Sequence, residues 1–176
     1  MMRALSRRSL SAVLVPLALA VSGCGLKPLY AGGTGGAVAA TLGSVDVAPI
    51  QGRSGWLMAN ALRDRLGAMG QGGGAAKYRL TVRLDDDIVG LGTRTDDSIA
   101  RERRTLRARY QLIDAAQGTV VVDATAGSDA GIDVVGSEYA TIAAENTALE
   151  RLSETVADQI VARLALYARR AQPPAP

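Results

Sequence analysis

The residues of this chain best placed to do chemistry are one sulfur and a set of guanidinium groups. Cys24 is the only cysteine. It follows Val21-Ser22-Gly23, small residues that close an apolar run from Leu10 to Val21, itself preceded by Arg3, Arg7 and Arg8. A positive stretch, a short apolar stretch and a small-residue cleavage site make a removable secretion signal, and a thiol directly after such a site is the nucleophile that lipoprotein maturation alkylates. The apolar run is too short for a spanning helix and contains Pro16, so it is not expected to stay as an anchor. The reading is therefore a signal over residues 1–23 and a mature chain that begins at a lipidated Cys24. Each buried acyl methylene contributes about 0.8 kcal/mol, so several chains on one residue hold a domain at a bilayer.

The second group is basic. Arg79 and Arg83 share the polar side of one alternating segment, and Arg103, Arg107 and Arg109 share the polar side of another. If the two segments pair, these five side chains form an arginine plate on the open face of a sheet, with Arg94, Arg101 and Arg104 nearby. Guanidinium forks bind phosphate bidentately, so such a plate suits a phosphorylated glycolipid or an acidic partner wall. Asp85-Asp86-Asp87 and Asp96-Asp97 flank Gly90-Leu91-Gly92, which reads as a turn. Their spacing fits no calcium loop, and no metal or other cofactor is expected beyond the covalent lipid.

Other chemistries are poorly supplied. The chain has no histidine, which removes imidazole triads and the common zinc sites. Gly70-Gln71-Gly72-Gly73-Gly74 follows a helical segment and no Gly-Lys-Ser/Thr occurs, so there is no P-loop. An enzyme is not expected. Charge narrows the partners too. Three of the 20 basic residues precede Cys24, leaving 17 against 17 acidic residues, so the mature chain is formally neutral despite a sequence pI near 9.3. With no aromatic residues interleaving the arginines, nucleic acid is not an expected partner.

Several elements must position these groups. Residues 24–43 read as a lipidated start and a Gly/Ala-rich flexible tether. A single domain over 44–170 follows, with a Pro-rich tail at 171–176. Ser44–Ile50 alternates as a short strand, and a helix capped by Ser54 runs from about Gly55 to Met69. Tyr78, Leu80, Val82 and Leu84 alternate with polar neighbours, as do Leu106, Ala108, Tyr110 and Leu112. Thr119–Thr125 gives a further strand after the turn at Ala115–Gly118. A long amphipathic helix runs from Ser137 to about Ala168. Polar-out alternation predicts antiparallel strands with one covered face. The expected fold is a two-layer α+β sandwich in the order β-α-β-β-β-α, with about four mainly antiparallel strands and two helices on one face. With no Phe and a single Trp, its core is built from Leu, Val, Ile, Ala and a few Tyr.

Taken in order, several stretches resemble one family. Cys24-Gly25-Leu26-Lys27-Pro28-Leu29-Tyr30 is similar to the mature start of the LptE lipopolysaccharide-assembly lipoproteins in their alphaproteobacterial form. Tyr78–Val82, Gly90-Leu91-Gly92, Ala108–Leu112, Glu138-Tyr139-Ala140, Ala144-Glu145 and Leu164–Tyr167 continue the likeness along the mature chain. Leu26 stands where that start often has Phe, and the Gly/Ala tether is longer. The resemblance implies an outer-membrane lipoprotein on the periplasmic side that plugs the large β-barrel LptD and supports insertion of lipopolysaccharide into the outer leaflet. It also implies lipopolysaccharide as a ligand of the basic sheet face, carried over by face and not by individual residues. A different class of function, an auxiliary lipid-binding lipoprotein of an ABC-type envelope transporter, shares the lipidation signal and the α+β pattern, but requires an apolar cavity for its ligand.

Overall fold

The computed structural model describes residues 36–69, 75–93 and 99–171. Cys24 and the signal, the Gly70–Gly74 run, Arg94, Asp96, Asp97 and the Pro-rich tail lie outside them. Within the described residues the order is α1 (Ala37–Leu42), β1 (Val45–Val47), α2 (Gly52–Ala68), β2 (Tyr78–Thr93), β3 (Ile99–Asp114), β4 (Val120–Asp133) and α3 (Glu138–Arg170). The strands form one sheet in the order β1-β2-β3-β4.

The two-layer α+β expectation holds, with four differences. The sheet is mixed, because β1 pairs parallel to β2 (Val45↔Tyr78, Val47↔Leu80) while β2–β3 and β3–β4 are antiparallel. A helix between two parallel neighbours is the ordinary crossover, and α2 supplies it. Next, part of the expected tether is helical: Val38, Ala39 and Leu42 of α1 are buried in the core. Tertiary packing orders a segment too short to hold a helix alone. α2 also starts earlier than Ser54 predicts, at Gly52, with Gln51 as an N-cap that makes no side-chain bond.

The fourth difference matters most for the site. Gly90 and Leu91 are not a turn. β2 continues to Thr93, through the aspartates, with Asp85↔Arg107, Asp87↔Thr105 and Gly90↔Glu102 in register with β3. The hairpin is thus 16 residues to a strand, roughly 50 Å at ~3.3 Å per residue.

One face of this sheet carries the core. Leu80 on β2 and Leu106, Ala108, Tyr110 and Leu112 on β3 are buried under the helices. From α2 come Met58, Leu62 and Leu66, and from α3 Leu149, Leu152, Val156, Ile160 and Leu164. α3 runs back along the sheet, so that Tyr167 near its end meets Tyr78 at the start of β2 edge to face, with centroids 6.2 Å apart at 88°. α2 and α3 are also tied by Arg65 and Asp158, one arm of which is Nη2 to Oδ2 at 3.1 Å. That bond holds the Asp158 carboxyl below its ordinary range. Gly55 lies where α2 meets the incoming chain, and a Cβ there would stand 2.7 Å from the Ile50 carbonyl oxygen. Only glycine permits that approach.

Candidate functional site

Alternation along β2 and β3 sends odd-numbered side chains to the face opposite the helices, and all five predicted arginines are exposed there. They form a stripe, not a compact plate. Arg79 lies beside Ile113, Arg83 is directly opposite Arg109, Arg107 is opposite Asp85, and Arg103 is opposite Val89. From the row of Arg79 to the row of Arg103 is ten residues of β2, or about 33 Å. The expected proximity therefore applies to Arg83, Arg109 and Arg107, whereas Arg79 and Arg103 stand at the two ends.

Aspartates interleave with them. Arg109 Nη2 donates to Asp123 Oδ2 at 3.2 Å, and Gln111 Nε2 donates to the same oxygen at 3.0 Å. Those two bonds, Gln111 first, hold the Asp123 carboxyl below the usual carboxylate range. Arg101 Nε donates to Asp133 at 2.9 Å. Among the described residues Arg79, Arg83, Arg103 and Arg107 make no salt bridge.

Arg83 and Arg109 define the most specific spot on this face. With Thr81, Val82 and Gln111 they line an open depression of about 360 Å³. Like charges directly opposite on paired strands work against the fold, so this pair is a feature that hairpin stability does not account for. Arg109 and Gln111 already donate to Asp123, so the unpaired Arg83 fork and the remaining donors of Arg109 are what this open polar surface offers an oxyanion such as a phosphate. The neighbouring Arg107 is seated by Gly127, a residue that no sequence pattern singles out. A Cβ on Gly127 would lie 2.5 Å from Arg107 Cδ and 2.6 Å from Nη1, so the bare Gly127 gives that side chain its bed.

Arg104 is not part of the stripe. It shares parity with Leu106 and points to the helix side, where its Nε and Nη2 each hold an Asp86 oxygen at 2.8 Å and its Nη1 donates to the Glu145 carbonyl of α3 at 3.0 Å. The side chains are only 12% and 19% exposed. This fork fastens the far half of the hairpin to the start of α3. Counting in twos from Leu106 would have found it, and the same count separates Asp86 from Asp85 and Asp87.

A sequence model of the LptE family, described as lipopolysaccharide assembly, matches residues 42–164. The chain belongs to the LptE family. Solved structures agree on the fold. A candidate lipoprotein from Caulobacter crescentus CB15 superposes with a TM-score of 0.64 at 25% identity, covering 75% of this chain and 96% of that one. A minor lipoprotein from Acinetobacter baumannii follows at 0.56 and 16%, covering 73% and 96%. The rare lipoprotein B of Shewanella oneidensis gives 0.53 at 11%, covering 71% and 98%. No curated protein matches the sequence. Membership in LptE makes this an assembly protein in a non-catalytic lipoprotein family of the envelope. No described helix is long and apolar enough to cross a membrane.

Proposed function

We propose that this LptE-family chain is lipidated at Cys24, anchored in the outer membrane on its periplasmic side, and occupies and supports the lumen of an LptD-type β-barrel during lipopolysaccharide insertion. In this reading the open sheet face meets lipopolysaccharide, and Arg83, Arg109 and Arg107 contact its phosphates, with Arg79 and Arg103 extending the stripe.

The observation that carries the reading is the Arg83–Arg109 pair, two opposed cations on an uncovered, fully folded surface. Asp123 engages Arg109, but Arg83 opposite it has no ion pair among the described residues; a site that binds anions has a reason to keep a second cation there. Helices on the other face close the core, so this sheet face is free to address a ligand or a wall.

The test is a double charge reversal, Arg83→Glu with Arg107→Glu, in the full-length protein. Both side chains are exposed, and relief of the Arg83–Arg109 repulsion offsets the acid newly set opposite Asp85, so the domain is expected to stay folded. Lipopolysaccharide binding or co-purification with the barrel is expected to drop at least tenfold. Both unchanged would overturn the role given to this face.

A further inference from the structure

The outer edge of β4 presents an unpaired row of backbone groups. The sheet order places β4 at the margin, and its register with β3 runs unbroken from Arg101↔Asp133 to Leu112↔Val122. Gly127 reveals which way the backbone faces: its N–H donates to Gln159 Oε1 at 3.1 Å, and its C=O accepts from Gln159 Nε2 at 3.3 Å. Both groups therefore turn away from β3 toward the helix side of the edge. Because the register has no shift in this stretch, the N–H and C=O of Asp129 and Gly131 turn outward as well.

Edge strands in soluble proteins are usually blunted by Lys, Pro, bulges or a cover. β4 has no Lys, Arg or Pro between Val120 and Asp133, and among the described residues Gln159 blocks this edge at Gly127. Beyond that block, a groove of about 520 Å³ runs between residues 128–133 of β4 and α3. Its walls include Ala130, Ile132, Ala144 and Ala148, with Arg151 among the α3 residues.

We infer that the Ser128–Asp133 edge of β4 receives an extended segment of the barrel partner as a fifth strand; this rests on the function proposed above. The period of two sets its chemistry. Alternate side chains would enter the groove, where Ala130, Ile132, Ala144 and Ala148 favour apolar groups beside Thr147 and Arg151. The others would lie on the open face beside Asp129, an acid with no ion pair among the described residues, and should be Lys or Arg. A second copy pairing through the same edge would set the unpaired Asp129 of both chains on adjacent strands of one face, which like-charge repulsion opposes. Barrel-wall strands are already paired on both sides, so the added segment must come from a loop or a periplasmic stretch.

The experiment places a photo-reactive benzoylphenylalanine at Asp129, at Gly131 and, as a control at the other end of the sheet, at Gln117, in the full lipidated chain expressed with its barrel. Cross-links from 129 and 131, but not 117, to a single basic segment outside the barrel's strands are expected. Gly131→Pro removes one outward N–H without touching the β3 ladder; combined with the probe at 129, it is expected to cut the cross-links from 129 at least tenfold while thermal melting stays unchanged. If the barrel co-purifies but 129 and 131 cross-link to nothing, or to another copy of this chain, the edge proposal is overturned and the functional reading stands. If no barrel co-purifies, the functional reading falls and this proposal with it.

Discussion

Arg83 and Arg109 stand directly opposite one another on β2 and β3, two cations in one cross-strand pair on the uncovered face of the sheet. Asp123 engages Arg109 from β4 at 3.2 Å, while Arg83 has no ion pair among the described residues. A hairpin designed for stability alone would place an acid or a threonine opposite Arg109.

From this follows a trade between stability and binding. Arg83→Thr removes a like-charge pair and supplies a better strand former, so it should stabilise the domain by about 0.2–1 kcal/mol. The same change should weaken binding of phosphorylated lipid severalfold. Denaturant titration and a lipopolysaccharide binding assay on one protein preparation check both signs.

The Arg104–Asp86 fork should behave in the opposite way. Its side chains are mostly covered and all three donor contacts are 3.0 Å or shorter. Asp86→Ala leaves a largely buried guanidinium without its carboxylate and should cost roughly 2–4 kcal/mol. Hydrogen exchange should show the loss concentrated in the far half of the β2–β3 hairpin and the first turns of α3, not in the Leu80–Tyr110–Leu112 region.

Gly55→Ala tests the close approach of α2 to the preceding chain. The new methyl would meet the Ile50 backbone at 2.7–2.8 Å, and a carbonyl cannot swing aside as a side-chain tip can. We expect a loss of about 1–3 kcal/mol, although alanine is the better helix former. Gly67→Ala, where nothing lies within 4 Å, should instead be neutral or slightly stabilising.

Acid should loosen the contact between α2 and α3. The Asp158 carboxyl is held below its ordinary value chiefly by the hydrogen bond from Arg65. A depressed folded-state value means the contribution is fully present above the unfolded value, about 3.9, and is lost as pH falls through the folded one. Because Asp158 is largely exposed, the effect is small, at most about 1 kcal/mol. Melting temperature should therefore be lower at pH 3 than at pH 6, and Asp158→Asn should shrink that difference.

How much of this was legible in the sequence depended on burial. Tyr78–Leu84 and Leu106–Leu112 announced themselves because every second side chain is apolar and covered. The far half of the hairpin did not, since Asp85-Asp86-Asp87 and the glycines at 90 and 92 look like a turn and their strand is held by pairing more than by burial. α1 was hidden for a related reason. Val38 and Leu42 sit in a Gly/Ala stretch with no cap signal, and burial in the core, not local sequence, orders them. Parallel pairing of the three-residue β1 was carried only by the strand-helix-strand order, since its own alternation is too short to tell parallel from antiparallel. At the site, the arginine face was legible from parity alone, while the seat at Gly127 and the Gln159 clamp depend on β4–α3 contacts between residues distant in sequence.

In the function proposed above, this LptE-family domain is the lipidated partner of an outer-membrane barrel. The most direct measurement is detergent affinity purification of the full-length, Cys24-lipidated protein from its own envelope, with mass spectrometry of what co-elutes. One large outer-membrane β-barrel in stoichiometric amount is expected. A monomer, or an inner-membrane transporter in the barrel's place, would contradict it.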